Sequence, residues 1–256
     1  HDTMDADISM TPLMGRNPDE LPKPEALLDH ELIRLFDQQI HTIRAQGRLV
    51  PIPPFFWDSS GRATTHGTLT TAQKFLGENV FVDLLMEPEK IVTILDWITD
   101  CFLVLMRHFS EIGKLPITAT HIGECSSCMI NPQLFEQFVV PYASRIAEKL
   151  GPLRFHSCGP STHLLASMKK ISNLASLDLG GETSMQKLRE IFGRDFPVDI
   201  MPIPADFSAD SPEPMLNWAK QVIQDNAGGP LRIIYHLEPD YSLATIRAMS
   251  RYVKNL

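Results

Sequence analysis

Cysteine is scarce in this chain. Four cysteines among 256 residues are too few for the disulfide framework that stabilises small secreted domains. No signal-peptide pattern is present either, and together these absences favour a protein of the reducing cytoplasm. The few cysteines therefore need another explanation, either as small buried residues or as metal ligands and nucleophiles.

Long hydrophobic runs and basic clusters are also absent. The longest apolar stretch, residues 91–109, is interrupted by Asp96, Asp100, Arg107 and His108, so we expect a buried amphipathic helix rather than a membrane span. A net charge of -8 and a pI near 5.6, without clustered Lys and Arg, argue against nucleic-acid binding. A small-molecule partner is the class that remains.

Several catalytic signatures are missing as well. The sequence contains no G-x-G-x-x-G after a strand-like run, no P-loop, no G-x-S-x-G elbow and no H-E-x-x-H helix. These absences argue against a dinucleotide-binding enzyme, a P-loop nucleotidase, an α/β-hydrolase and a metalloprotease of the zincin type.

Short apolar runs alternate with helical patterns through the second half of the chain. Strands are predicted at 153–157, 174–178, 198–203 and 232–236, with helices at 161–171, 184–192, 212–225 and 243–253. Further strands are predicted upstream at 49–56 and 116–122, with a weaker one at 6–11, and helices at 70–76, 80–85 and 88–112. This alternation indicates βαβ units and a parallel sheet.

The favoured architecture is a (β/α)₈ TIM barrel forming one domain over residues 1–256. A barrel needs eight strands, and the pattern supplies six or seven. The rival architecture is a doubly wound open sheet. In both folds ligands bind beyond the carboxyl ends of the strands. The candidate residues at those ends are Trp57, Asp58, His121, Glu124, Cys125, Cys128, His156, Cys158, Asp178, Glu182, Asp206, His236 and Glu238.

An H-x-C pair ends one of these strands. Side chains two residues apart on a strand point the same way, so His156 and Cys158 can converge on one metal ion, and zinc accepts both ligand types. The third ligand is predicted to be His236, with Glu124, Cys125 and Cys128 as the next candidates. The structural alternative is a hydrogen-bonded core histidine beside a small buried cysteine.

Four more residues are candidates for other roles at the same edge of the sheet. Glu124 and Asp178 are the candidate catalytic carboxylates. The alternatives for Asp178, as for Glu182, are a metal ligand, a partner that supports a ligand, or a solvated loop acid, which is the commonest fate of such residues. Trp57, in an aromatic cluster after two prolines, and His66 are candidates for binding a planar cofactor, with ordinary core packing as the alternative for the tryptophan.

Four stretches resemble the uroporphyrinogen decarboxylase superfamily. They are HGTLTTAQKFLGENVFVDLLMEPEKIVTILDWIT (66–99), INPQLFEQFVVPYASRIAEKL (130–150), RFHSCGPSTHLL (154–165) and PDYSLATIRAM (239–249). The resemblance runs from about Pro51 to the end. It implies a TIM barrel, and it implies that an amino-terminal segment containing the first strand is absent here.

The resemblance further implies one of two chemistries. Cobamide-dependent methyltransferases of this superfamily hold zinc through an H-x-C pair and a distant cysteine, and they move a methyl group between a corrinoid on a carrier protein and a thiol. His156 and Cys158 match the pair, but no cysteine follows Cys158, and His236 lies near the expected position. Metal-free decarboxylases of tetrapyrroles are the alternative, although their amino-terminal arginine-rich motif is not found. They need cations for substrate carboxylates, for which Arg62 and Arg154 are candidates. A non-catalytic barrel that binds a corrinoid or a partner is the third reading.

Overall fold

A single parallel sheet organises the chain. The computed structural model describes residues 11–48, 57, 61–235 and 237–255. Within them, six strands pair in chain order, every pair parallel. The strands are β1 (Ala63–His66), β2 (Thr120–Gly123), β3 (Leu153–Ser157), β4 (Leu174–Gly180), β5 (Val198–Met201) and β6 (Leu231–Ile233).

Helices lie between consecutive strands. In the described residues the α-helices are α1 (Glu31–Ala45), α2 (Thr68–Leu76), α3 (Asn79–Met86), α4 (Pro88–Gly113), α5 (Pro132–Phe138), α6 (Val140–Leu150), α7 (Leu165–Met168), α8 (Met185–Phe192), α9 (Pro204–Phe207), α10 (Glu213–Asp225) and α11 (Leu243–Lys254). Parallel strands in unbroken chain order, alternating with helices, define the α/β fold of TIM-barrel type. A doubly wound sheet would reverse its strand order, so the predicted barrel class is confirmed.

The strands differ from prediction mainly where large apolar residues are lacking. β1 was not predicted, because its sequence Ala-Thr-Thr-His has no large aliphatic residue to mark a buried strand. β2 begins at Thr120 rather than at 116, and β6 ends at Ile233 rather than at 236. The predicted strand at 49–56, and all but the last residue of the one at 6–11, lie outside the described residues.

Alternation along the strands separates an apolar layer from a polar one. Phe155 in β3 is fully buried and packs edge-on against Phe135 of α5, with ring centroids 5.9 Å apart. Its neighbours Arg154 and His156 point to the opposite face of the strand. The polar face carries the candidate site, and the apolar face joins the sheet to its helices.

The long helix α4 has the amphipathic character that its sequence indicates. It covers 26 residues, against the predicted 88–112, and buries apolar residues such as Ile91, Leu95 and Ile98 at helical spacing. Pro88 begins it and Lys114, in the left-handed conformation, ends it. None of the described helices combines the length and apolarity needed to cross a bilayer.

Candidate functional site

The inner face of the sheet is strongly polar. His156 on β3 lies opposite Asp178 on β4, which in turn lies opposite Asp199 on β5. Two residues before His156 on β3, Arg154 lies opposite His121 on β2. Adjacent strands thus bring imidazole, guanidinium and carboxylate groups from distant parts of the sequence into mutual contact.

Three side chains beyond this layer form a candidate metal centre. Cys125 begins the short 3₁₀ helix Cys125–Met129 that follows β2, His156 is the fourth residue of β3, and Cys158 follows that strand directly. One ligand atom from each lies within 4.8 Å of the other two. Two thiols and one imidazole are a donor set that zinc accepts, and small side-chain adjustments reach the ~3.5–4 Å between ligands in a tetrahedral site. We call these three residues the thiol-imidazole group.

The third member of this group is Cys125, which was a candidate ligand after His236 in the sequence analysis. His236 lies outside the described residues, so its predicted role as a ligand stays a prediction. Cys125 reaches the pair because β2 and β3 are hydrogen-bonded neighbours, with Gly123 opposite His156. Cys128, on the same 3₁₀ helix, is half-buried, and burial together with the nearby Cys158 raises the pKa of its thiol.

Electrostatics favour a thiolate at Cys158. A hydrogen bond from the Cys125 thiol, followed by contact with His156, lowers the pKa of Cys158 to about 4. The same hydrogen bond and burial raise the pKa of Cys125. Burial by itself lowers the pKa of His156, but the contacts with Asp178 and Cys158 outweigh it and raise that pKa to about 9. In the metal-free site these shifts favour an ion pair between the imidazolium of His156 and the thiolate of Cys158. Thiolate is the form of cysteine that binds metals.

Asp178 supports the imidazole from behind. Its Oδ2 lies 2.8 Å from Nδ1 of His156 and 2.7 Å from Nη2 of Arg154. The contact with His156 is short without being a well-aligned hydrogen bond, since Nδ1 meets no acceptor in good geometry within the described chain. Burial alone raises the pKa of Asp178, but these cationic neighbours lower it overall. Asp178 is thus a buried carboxylate held against a candidate metal ligand, as carboxylates behind ligating histidines commonly are.

A second group of possible ligands overlaps the first. His121, His156 and Asp178 each offer an atom within 4.8 Å of the others. However, the guanidinium of Arg154 lies 2.9 Å from Nε2 of His121 as well as against Asp178. A cation already occupies the neighbourhood of this second group, so the thiol-imidazole group is the better metal centre.

Arg154 is the central cation of the polar layer. Besides its contact with Asp178, its Nε donates to Oδ2 of Asp199 at 2.7 Å, and Arg232 donates to both oxygens of Asp199. Arg154, Asp178 and Asp199 are all nearly inaccessible to solvent. The guanidinium of Arg154 is therefore already paired with two buried carboxylates. This pairing argues against a role for Arg154 in binding substrate carboxylates.

Glu124 is a buried carboxylate at the start of a helix. Its oxygens accept hydrogen bonds from the backbone N–H groups of Leu69 and Thr70 and from the Thr70 hydroxyl. Burial raises the pKa of Glu124 to about 7 although these hydrogen bonds oppose the rise. Gly67 makes room for it, since a Cβ at that position would overlap the carboxylate. The described contacts connect Glu124 to α2; a catalytic role for it stays a prediction.

The two candidate cofactor-binding residues lie beside opposite ends of β1, Trp57 at its start and His66 at its carboxyl end. Trp57 forms an isolated antiparallel bridge with Ala63 and packs partly against the hydrophobic core. His66 ends β1 one residue before α2 begins at Thr68 and is partly exposed. No described contact tests whether either residue meets a planar cofactor.

A cavity of about 220 Å³ opens beside the thiol-imidazole group. We call it the Cys158 cavity. Its wall is formed by residues at or after the carboxyl ends of β3, β4, β5 and β6, namely Cys158, Gly180, Gly181, Glu182, Met201, Pro202, Ile203, Pro204, Phe207, Tyr235, Glu238 and Tyr241. The predicted strand-end location of the site is consistent with this cavity. Its aromatic residues Phe207, Tyr235 and Tyr241 were not among the predicted candidates, because an aromatic residue near a strand end is more often part of the core.

The fold and this arrangement of thiol, imidazole and buried carboxylate are those of a TIM-barrel protein with a candidate metal site at the carboxyl ends of its strands. The profile of the uroporphyrinogen decarboxylase (URO-D) family matches residues 65–203, which is more than half of the chain. The chain belongs to this family.

Comparison with solved structures agrees on the fold. A methyltransferase from Methanosarcina mazei superposes with a TM-score of 0.63 at 16% sequence identity, over 94% of this chain and 70% of that chain. At this level of identity the likeness concerns the fold. No curated protein sequence matches the chain.

Proposed function

We propose that this protein is a zinc-dependent methyltransferase that moves a methyl group between a corrinoid and a thiol or related acceptor. The observation that carries the proposal is the convergence of Cys125, His156 and Cys158 within 4.8 Å at the carboxyl ends of two strands. The similarity in fold to a methyltransferase supports it. The corrinoid is expected on a carrier protein that covers the mouth of the barrel.

The donor set suits a catalytic zinc ion. Three protein ligands would leave one position open for a substrate atom, and one of the three, Cys158, lines the adjoining cavity. When bound, zinc removes the proton of the acceptor thiol at neutral pH while keeping its sulfur nucleophilic. His156, Cys158 and Cys125 would hold the ion.

The remaining residues of the site have supporting roles in this proposal. Asp178 fixes the ring of His156 through its contact with Nδ1, and Arg154 keeps Asp178 ionised. In methyl transfer from the corrinoid, the acceptor sulfur would attack the methyl carbon, with cobalt as the leaving group. A carbon–sulfur bond would form as the carbon–cobalt bond breaks, and the electron pair of the broken bond would stay on the corrinoid.

The metal-free decarboxylase alternative has less support from the described residues. Such an enzyme needs unpaired cations for its polycarboxylate substrate, whereas Arg154 is committed to Asp178 and Asp199. The described wall of the Cys158 cavity carries the carboxylates of Glu182 and Glu238 and contains no Lys, Arg or His, so it would repel a polycarboxylate.

The test combines metal content with turnover. Purified, reduced protein is loaded with zinc, and the loss of methylcobalamin is followed with a small thiol as acceptor. We expect stoichiometric zinc and thiol-dependent demethylation in the wild type, and loss of both in His156→Ala and Cys158→Ala. Cys101→Ala is the matched control, because Cys101 is buried in α4. Zinc-free wild-type protein would contradict the proposal, and zinc binding with corrinoid binding but no turnover would favour a non-catalytic barrel.

A further inference from the structure

The described wall of the Cys158 cavity is acidic. Its carboxylates are Glu182, after β4, and Glu238, after β6, and the described part of the wall contains no Lys, Arg or His. The field extends to the ring of Tyr241, where burial raises the pKa and the charges of Glu238 and Asp240 raise it further. A cation entering the cavity therefore meets a wall that carries two carboxylates.

The same wall is rich in aromatic rings. Phe207 stacks on Tyr241 at 11° with centroids 4.6 Å apart, and it lies 4.9 Å from Tyr235 at 46°. Phe207 is fully buried, whereas both tyrosines are partly exposed. Aromatic faces beside carboxylates are the chemistry that proteins use to bind ammonium groups, because the ring quadrupole attracts a cation.

Size and position restrict the ligand further. About 220 Å³ is less than the ~300–1,000 Å³ typical of sites for drug-sized molecules, so the cavity suits a compact ligand. Cys158 itself lines the cavity, so a ligand in the cavity lies next to the thiol-imidazole group.

We propose that the Cys158 cavity binds an ammonium group, and that the methyl acceptor is a small thiol carrying a positive charge. That the ligand is a thiol rests on the proposed methyl transfer. That the cavity binds a cation rests on the residues of the cavity alone. An anionic thiol, such as a sulfonate or carboxylate, is disfavoured by Glu182 and Glu238.

Calorimetry with metal-free, reduced protein tests the cavity separately from the metal. Choline is the cationic probe, and 3,3-dimethylbutan-1-ol is its neutral isostere of the same shape. We expect choline to bind about tenfold more tightly than the isostere, as cation–π and carboxylate contacts together predict. Glu238→Gln and Tyr241→Ala should each reduce that preference at least threefold. Glu148→Gln, which removes an equal charge from an exposed position on α6, should leave it unchanged. Equal affinities for the two probes would overturn the inference.

Turnover with matched thiols tests the acceptor. The zinc-loaded wild type should methylate 2-aminoethanethiol with a kcat/KM about tenfold above that for 2-mercaptoethanesulfonate. Methyl transfer that is equal or faster with the sulfonate refutes the cationic acceptor and leaves the proposed function intact. A choline preference without methyl transfer to any thiol supports the cation site and refutes the proposed function instead.

Discussion

The last residue of β4, Gly180, lies directly against the backbone carbonyl of Cys158. A Cβ atom at this position would overlap the carbonyl oxygen and crowd the carbonyl carbon. Only a glycine therefore lets the loop after β3 pass close to the end of β4. That passage places the Cys158 thiol beside His156 and at the wall of the cavity.

Gly180→Ala should displace the Cys158 loop. Because the contact is with backbone, relief requires movement of the loop, and we expect a destabilisation of about 1–3 kcal/mol together with at least tenfold weaker zinc binding. Urea unfolding and a competitive chelator titration measure the two effects. Gly123→Ala is the matched control, since a Cβ there meets His156 at 3.8 Å, an ordinary contact distance. Equal zinc affinity in both variants would show that the loop does not depend on Gly180.

Arg154→Met should be among the most destabilising substitutions in the sheet. It removes the guanidinium that pairs with both Asp178 and Asp199, which keep His156 and Arg232 as their respective partners, and breaking a buried pair in this way costs about 3–5 kcal/mol. The comparison is Arg145→Met, which breaks a partly exposed pair with Asp96 and should cost about 0–1 kcal/mol. Denaturant unfolding measures both. Adding Asp178→Asn to Arg154→Met should recover part of the loss, and a further loss in the double variant would contradict this account.

Thiol reactivity should distinguish Cys158 from the buried Cys101. The hydrogen bond from Cys125 and the contact with His156 lower the pKa of Cys158 to about 4, so its thiolate fraction is constant above pH 6. In metal-free protein its alkylation by iodoacetamide should change less than about twofold between pH 6 and 8, whereas an ordinary thiol accelerates roughly 80-fold. Burial raises the pKa of Cys101 to about 12, and it should stay unmodified. In Cys125→Ala, the rate at Cys158 should become more dependent on pH. Mass spectrometry of digested protein assigns the sites, and an 80-fold rise at Cys158 in the wild type would refute the thiolate.

Glu124 should give the stability a pH dependence of definite sign. Burial raises its pKa from the ordinary 4.5 to about 7, so the folded chain holds a proton that the unfolded chain has lost between these values. This stabilisation is complete below pH 4.5, falls as pH rises and is gone above pH 7, a change of about 3 kcal/mol. The free energy of unfolding of metal-free Glu124→Gln should lack this decrease between pH 4.5 and pH 7, whereas that of Glu148→Gln should keep it. Parallel pH profiles for wild type and Glu124→Gln would contradict the shift.

The sequence predicts those features that depend on local pattern. Large apolar residues mark β3, β4 and β5, and the H-x-C spacing identifies His156 and Cys158 as a pair at a strand end. The apolar pattern fails for β1, whose Ala-Thr-Thr-His carries no such mark.

Features that depend on the pairing of strands could not be predicted in this way. Cys125 joins the pair only through the register of β2 on β3. Arg154 resembles a free substrate-binding cation in the sequence, because its partner Asp199 lies 45 residues away. Both contacts depend on which residues lie opposite each other on neighbouring strands. The local pattern of a single sequence does not show this pairing.

X-ray absorption at the zinc edge tests the central claim most directly. Reduced wild-type protein loaded with one equivalent of zinc should show two sulfur ligands at about 2.3 Å and at least one imidazole nitrogen at about 2.0–2.1 Å. Cys125→Ser and Cys158→Ser should each lose one sulfur, whereas Cys128→Ser should keep both. A zinc ion with only oxygen and nitrogen ligands, or a spectrum unchanged in Cys125→Ser and Cys158→Ser, would contradict the thiol-imidazole group as the metal centre.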